Sequence, residues 1–382
     1  MKIFIKIVTF IYFFLTLSIT AYGQDKIKIG LLVPITGQNQ EIGKSIIKAT
    51  RLAIQKINSE NIEVIPKDTA SNPETTFRNA KQLYEEGIRI FIGPVFNKNL
   101  IYLDKLEDAI FLSLTNKTIG NPKNIISAGI NASSQIDTIK KFQKMNKINR
   151  TIFLVPNTEY KEEIEKAIKQ TKINKKKVYY YETEPTKLTQ QIEKITKYSI
   201  RKQNLKDEIK RIENSEELNK EKLLNRLNKL DTLGKLKFDS IVIASFDEVL
   251  KSITTSLLYT DVSPKKIYFI TLNQWFDESL LSEISSQPMY FPSINKDNYD
   301  EFVKFYYKNF NEYPNQLSFL SYDLIGLIYY LSIQNKFIID KKLFLKKDIF
   351  KGKVGIFEIK DNKISHVLNF YKIEDNKFKK IF

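Results

Sequence analysis

Few residues in this chain can do covalent chemistry. There is one histidine, His366, and no cysteine. That leaves no thiol nucleophile, no disulfide framework and no cysteine or multi-histidine metal site. A Ser-His-Asp arrangement would require His366 to face a hydroxyl in space, and its setting near the C-terminus reads as an ordinary strand position. Carboxylates are plentiful, but no paired acidic motif stands at a strand end and no nucleophile elbow is present. The remaining option is non-covalent. The stretch from Lys26 to Asn58 runs from an apolar strand through Thr36-Gly37-Gln38-Asn39 into a helix with Ile42, Ile46, Ala49, Ala53 and Ile57 on one face. Such a turn presents free backbone N–H groups at a helix N-terminus, which suits an anionic ligand group.

The elements that must position this turn follow the same alternation. Ile62–Pro66 reads as a strand and Pro73 to Glu86 as a helix capped by Asn72 and stopped at Gly87. Ile88–Pro94 is a buried strand, Asn99–Asp108 reads as a helix and Ala109–Leu114 as the next strand. This β-α order predicts a parallel sheet whose ligands sit at the carboxyl ends of the strands, here Thr36–Asn39, Val95–Asn99 and Thr115–Thr118. A second series follows, with helix Ser133–Met145 and strands Arg150–Val155, Val178–Tyr181, Asp239–Ala244 and Lys266–Thr271. Two α/β lobes with a cleft between them are therefore expected.

Between the strands of the second series lies a charged insertion, 199–235, with apolar stripes through Ile200, Leu205, Ile209 and Ile212 and through Leu218 to Leu233. It reads as a helical hairpin turning near Glu213–Ser215, with Asn214 and Glu217 as an N-cap pair. It serves either as a docking arm or as a self-packed outgrowth. Helices at Asp300–Phe310 and Leu317–Leu331 and a β-hairpin through Val354–Ile359 and Val367–Tyr371 complete the chain.

Met1 to Gly23 has two early lysines, an apolar run and small residues at Ala21 and Gly23, the pattern of a cleavable secretory signal. Without a cysteine after it, lipid attachment there is excluded, and a periplasmic protein that is not a lipoprotein is expected. The net charge is +17, from 61 Lys and Arg against 44 Asp and Glu. The lysines are spread along the chain without a basic block, so they read as solvated surface and no nucleic-acid partner is expected. Attraction to an anionic membrane surface or polymer stays open.

Taken together, KIGLLVPITGQNQEIGKSIIKATRLAIQKIN, IFIGPV, VPNTEY, SYDLIGLIYYL and GKVGIFEI resemble the type I periplasmic binding proteins of the leucine/isoleucine/valine-binding kind. The fold this implies is two Rossmann-like lobes joined by three crossings around a cleft, here with a helical-hairpin insertion. The lobes would be 24–131 with 293–338, and 132–292 with 339–382. FDSIVIAS, LLYTDVSPKKIYFIT and NQWFDESLL resemble most the penicillin-binding protein activator branch, related to the C-terminal domain of LpoA. That branch implies no catalysis, no cofactor and no metal, but contact regulation of a peptidoglycan synthase. The alternative is the solute receptor of an ABC importer, working with its permease on a branched-chain amino acid or another small polar ligand.

Carried over from the amino-acid-binding relatives, the ligand groups fall at Asn97, near Thr115, Asn116 and Lys117, and at Tyr160, while Thr36, Gly37, Asn273 and Trp275 join them as candidates for the polar-aromatic lining of the cleft. The acidic position that would meet an ammonium falls at Asn273–Gln274, where this chain has amides. A neutral amide does not supply the charge-assisted bond that a desolvated ammonium needs.

Overall fold

The computed structural model describes residues 26–173, 175–337, 340–344 and 348–382. The expected signal segment, 1–23, lies outside them. The chain opens with β1 (Ile27–Val33), α1 (Gln40–Ile57), β2 (Ile62–Asp68), α2 (Pro73–Glu85), β3 (Ile90–Ile92), β4 (Ile110–Ser113) and β5 (Ile125–Ser127). The second unit runs through α3 (Ala132–Met145), β6 (Thr151–Pro156), α4 (Lys161–Gln170), β7 (Lys176–Tyr181), α5 (Pro185–Thr196), α6 (Tyr198–Glu213), α7 (Lys220–Leu227), β8 (Ser240–Ile243), α8 (Asp247–Tyr259), β9 (Tyr268–Thr271) and β10 (Met289–Ser293). Then come α9 (Lys296–Phe310), α10 (Gln316–Gln334) and the strands β11 (Ile349–Lys351), β12 (Ile356–Lys360), β13 (Lys363–Val367), β14 (Asn369–Glu374) and β15 (Lys377–Lys380).

These strands form two sheets, ordered β11-β12-β13-β5-β4-β3-β1-β2 and β15-β14-β10-β9-β8-β6-β7. The central strands β3, β4, β6 and β8 are buried at every residue, as parallel strands covered by helices on both faces must be. The chain passes between the sheets three times, at 128–131, at 294–295 and at Leu368. This is the type I periplasmic-binding-protein architecture, two α/β lobes in one chain.

Local chemistry explains several boundaries. Asn72 caps α2 by accepting from the Thr75 N–H at 2.9 Å, and Asn131 caps α3 through Ser134 at 3.0 Å. Gly43 lets α1 start hard against the end of β1, because a Cβ there would lie 1.8 Å from the Pro34 carbonyl oxygen. Helix α10 is long and apolar enough by composition to cross a bilayer. Here it packs along α1 in the first lobe, its Ser318 and Ser321 hydroxyls meeting Ser45 and Thr50 at 3.1 and 3.2 Å.

The structure departs from the sequence reading in several respects, four of which follow. The expected helix at 99–108 is two short 3-10 turns, Asn97–Leu100 and Leu103–Lys105, because Leu100, Leu103 and Leu106 all turn into the core within a few residues. Strands β5 and β10 were not expected. The first has only three residues, and the second contains Pro292, which normally argues against a paired strand. In the insertion, Asn219 stands at the start of α7 without a side-chain cap bond, and Glu217 pairs with Arg211 at 3.1 Å, so the expected Asn214–Glu217 cap does not form.

The fourth departure concerns the end of the chain, where 339–382 was expected wholly in the second lobe. β12 and β13 form a hairpin about Asp361 and Asn362, both in the left-handed region, and Lys363 of β13 pairs with Ser127 of β5 in the first sheet. Only β14 and β15 join the second sheet. The inward Phe357, Ile359 and Ile364 are buried, and the buried Leu368 carries the crossing.

Candidate functional site

The turn after β1 is answered from within the chain. Asp68, at the end of the neighbouring β2, accepts from the Ile35 N–H at 2.7 Å, the Thr36 N–H at 3.2 Å, the Thr36 hydroxyl at 2.5 Å and the Ala70 N–H at 2.8 Å. Partial burial pushes this carboxyl up, but the Thr36 hydroxyl and the three N–H groups together hold it below the usual carboxylate range. The anion expected at Thr36 and Gly37 is thus the protein's own carboxylate, and neither residue lines the cleft. Replacing Asp68 with Ala leaves those donors to water and is expected to destabilise the first lobe by about 1–3 kcal/mol in urea unfolding.

The other six expected residues come together. Asn97, Thr115, Asn116, Tyr160, Asn273 and Trp275 line one cleft of about 530 Å³ at the carboxyl ends of β3, β4, β6 and β9. A wider recess of about 1140 Å³ adjoins it through the shared Phe246, Asn273 and Trp275. Asn97 sits on the 3-10 turn after β3, and its Oδ1 is buried without a hydrogen-bond partner among the described residues. Tyr160 stands just before α4; its hydroxyl lies toward the Ala132 backbone but makes no hydrogen bond of ordinary geometry. Burial and the Glu163 carboxylate push that phenol up, so it stays neutral at any physiological pH.

The remaining polar groups are mostly engaged. Thr115 Oγ1 accepts from the Lys117 N–H at 3.2 Å. Asn273 Oδ1 accepts from the Trp275 N–H at 3.1 Å and the Ser293 hydroxyl at 2.7 Å. Gln274 donates to the Ser245 and Leu272 carbonyls at 3.1 and 3.2 Å. Asn116 is exposed at the rim. The arrangement offers amides, a phenol and the rings of Phe96, Phe246 and Trp275. Among its lining residues the one carboxylate, Glu159, is already paired with Lys117 at 2.9 Å.

Three contributors escaped the sequence reading. Gln135, on α3, donates to the Ile130 and Asn131 carbonyls at 3.0 and 3.3 Å and accepts the Asn273 N–H at 2.8 Å, which ties the first crossing to the loop after β9. A glutamine inside an amphipathic helix gives no local sign of that role. Phe246 was within reach, since it follows β8 at a strand's carboxyl end. Glu163, in the first turn of α4, is 5% exposed and accepts from the Thr118 N–H, the Thr118 hydroxyl and the Ile119 N–H at 2.6, 2.8 and 2.6 Å, joining the second lobe to the first. His366 takes no part in the cleft. It is buried in β13, with Nε2 3.2 Å from the Ala128 carbonyl oxygen. Among the described residues, no three His, Cys, Asp or Glu side chains gather as a metal-ligand group.

Comparison with known proteins agrees with this fold. Residues 26–194 match the family model of the periplasmic binding proteins. No curated protein matches. Among solved structures, the chain is similar to the C-domain of LpoA from Haemophilus influenzae, described as a regulator of PBP1A. The TM-score is 0.61 at 13% identity, covering 93% of this chain and all of that one. Against full-length LpoA the coverage is 94% of this chain and 59% of the other. A solute-binding protein of an ABC transporter from Rhodopseudomonas palustris, in complex with 3,4-dihydroxybenzoic acid, gives a TM-score of 0.60 at 18% identity over 94% and 96%. LivJ from Streptococcus pneumoniae, in complex with isoleucine, gives 0.55 at 16% over 94% and 99%. At these identities the likeness is one of fold.

Proposed function

We propose that this chain is an exported, periplasmic, non-enzymatic protein of the binding-protein fold that regulates a peptidoglycan synthase by contact. The observation that carries the reading is the internal use of the groups an amino-acid receptor needs. Asp68 fills the turn at Thr36, and the amides of Asn273 and Gln274, where the resemblance would put the partner of an ammonium, bond to the chain itself. An ammonium desolvated there would meet no free carboxylate, at a cost of several kcal/mol. Likeness to the LpoA C-domain over that domain's whole length supports the same reading. The non-enzymatic part rests on the donor set, since the lone histidine is buried away from the cleft.

The test is glycan polymerisation by purified peptidoglycan synthases of the source organism, with and without the mature protein. A several-fold rise in rate, with co-elution of the two proteins, is expected. Unchanged rates and no co-elution overturn the proposal.

One observation favours the receptor alternative: Asn97 Oδ1 and the Tyr160 hydroxyl are buried and unbonded beside a cleft large enough for a small polar molecule. A ligand present at a hundred times its Kd would stabilise the fold by about 2.7 kcal/mol. A thermal-shift panel of amino acids, aromatic acids and polyols separates the two readings, and the regulator reading expects it to be flat.

A further inference from the structure

The insertion builds a second cavity, of about 580 Å³, at the amino ends of β6, β7 and β8, the opposite edge of the second sheet from the cleft. Eighteen residues line it; eight are Lys or Arg and none is Asp or Glu. The chain as a whole has 61 basic against 44 acidic residues, so a wall without one carboxylate is not a sample of the average surface. The floor is apolar, with Ile152 and Phe238 buried and Tyr179 half-buried.

The two arginines of the wall are already engaged. Arg150 pairs with Asp239 at 2.7 Å. Arg201, 5% exposed, donates to the Thr196 carbonyl, to Thr232 Oγ1 at 2.9 Å and to the Thr260 carbonyl, which pins α6 against the lobe. Six lysines remain: Lys175, Lys176, Lys177, Lys197, Lys235 and Lys237. Lys176 donates to the Ile168 carbonyl at 2.8 Å, and Lys177 lies 5.2 Å over the Tyr179 ring. Lys175, Lys197, Lys235 and Lys237 have no anionic partner among the described residues. All four are exposed, and the ammonium groups they hold around one concavity repel each other, a repulsion that a bound anion relieves.

We propose that this cavity is a binding site for a phosphate-bearing anion. Four unneutralised ammonium groups match a phosphate or diphosphate, which carries two or more negative charges, better than a single carboxylate. The apolar floor receives whatever body the phosphate is attached to. This assigns a role to the insertion independent of the cleft: residues 200–204 and 234–237, at its two ends, form one wall. The phosphate can come from a soluble molecule or from a lipid headgroup at a membrane surface.

The experiment uses the mature chain, a Lys235→Glu/Lys237→Glu variant and a control, Lys304→Glu/Lys308→Glu, on exposed positions of α9 with the same change in net charge. Circular dichroism establishes that all three fold. Inorganic pyrophosphate is titrated by calorimetry, and vesicles of phosphatidylcholine with and without phosphatidic acid, whose headgroup is a phosphomonoester, are used in flotation. At about fivefold per lysine, the cavity variant is expected to lose at least twentyfold in affinity while the control changes less than twofold. Pyrophosphate binding with that pattern identifies a soluble phosphate compound. Vesicle binding alone with that pattern identifies a headgroup, and both outcomes support the site. Absence of binding to either probe overturns it, as does equal weakening in the two variants, which is the signature of diffuse charge. Either result leaves the synthase assay untouched.

Discussion

Replacing His366 with Gln is expected to remove roughly 3 kcal/mol of acid destabilisation between pH 7 and pH 4. Burial pushes this imidazole down from 6.5 to about 4, against a smaller upward pull from the Ala128 carbonyl. A lowered pKa means that the folded state resists the proton that the unfolded chain accepts. Stability is therefore fully present above pH 6.5 and drains away as pH falls toward 4. Asp323 works in the opposite direction. Partial burial raises its carboxyl from 3.8 to about 6, although the Val354 and Lys353 N–H groups, at 2.7 and 2.8 Å, pull it down. A raised pKa contributes stability that is complete below 3.8 and lost as pH rises through 6, again worth roughly 3 kcal/mol.

The two windows overlap, so between pH 6 and 4 each titration offsets most of the other in the parent protein. Urea unfolding as a function of pH separates them. The difference between parent and His366→Gln should fall by roughly 3 kcal/mol on acidification, and that between parent and Asp323→Asn should rise by a similar amount. Parallel pH profiles for parent and both variants would contradict the burial assigned to these groups. The location gives the effect a structural meaning. The His366 N–H donates to Ser134 Oγ at 3.0 Å, and Asn131 donates to the Ile364 carbonyl at 2.7 Å, so β13 is bound to the first crossing between lobes.

The sequence was most readable where burial dictated residue type. β1, β3, β4, β6 and β8 are runs of Ile, Val, Leu and Phe because parallel strands covered on both faces admit little else. β10 was hidden by Pro292, and the pairing of β13 with β5 was hidden because a hairpin carries no local sign of which sheet it joins. In the site, strand ends predicted which loops gather, since loops at one edge of a sheet share one side of it. They did not predict what each side chain does. Asp68 captures Thr36 across 32 positions, and Gln135 meets Asn273 across 138. Those pairings depend on how two sheets and three crossings are placed, which spacing along one chain does not encode. The lysine-rich cavity is a case of the same kind. Its six lysines look like ordinary solvated charge in sequence, and only the turn of the insertion back over β7 sets them round one space.

Glu163→Ala is expected to cost about 2–4 kcal/mol, whereas Glu159→Ala, four residues earlier and bonded to the same loop, should leave stability essentially unchanged. Both carboxylates reach from the second lobe to 117–119 of the first, so the contrast isolates burial. Glu159 is 91% exposed and meets the Lys117 ammonium at 2.9 Å, a pair that water and salt screen. Glu163 is almost wholly enclosed and accepts three hydrogen bonds, two of them from backbone N–H groups that have no other acceptor among the described residues. Removing it strands those donors, and even Gln would offer an N–H where an acceptor is required. Because the contact ties one lobe to the other, its loss should also lower the cooperativity of unfolding, reducing the denaturant m value and separating the signal of Trp275 from the far-ultraviolet transition. A Glu163→Ala protein that unfolds in one transition, within 1 kcal/mol of the parent, would mean that the three bonds hold the Thr118 loop in place without coupling the lobes. The coupling would then rest on Gln135 and the crossings alone, and the cleft would open about them with Glu163 as a bystander.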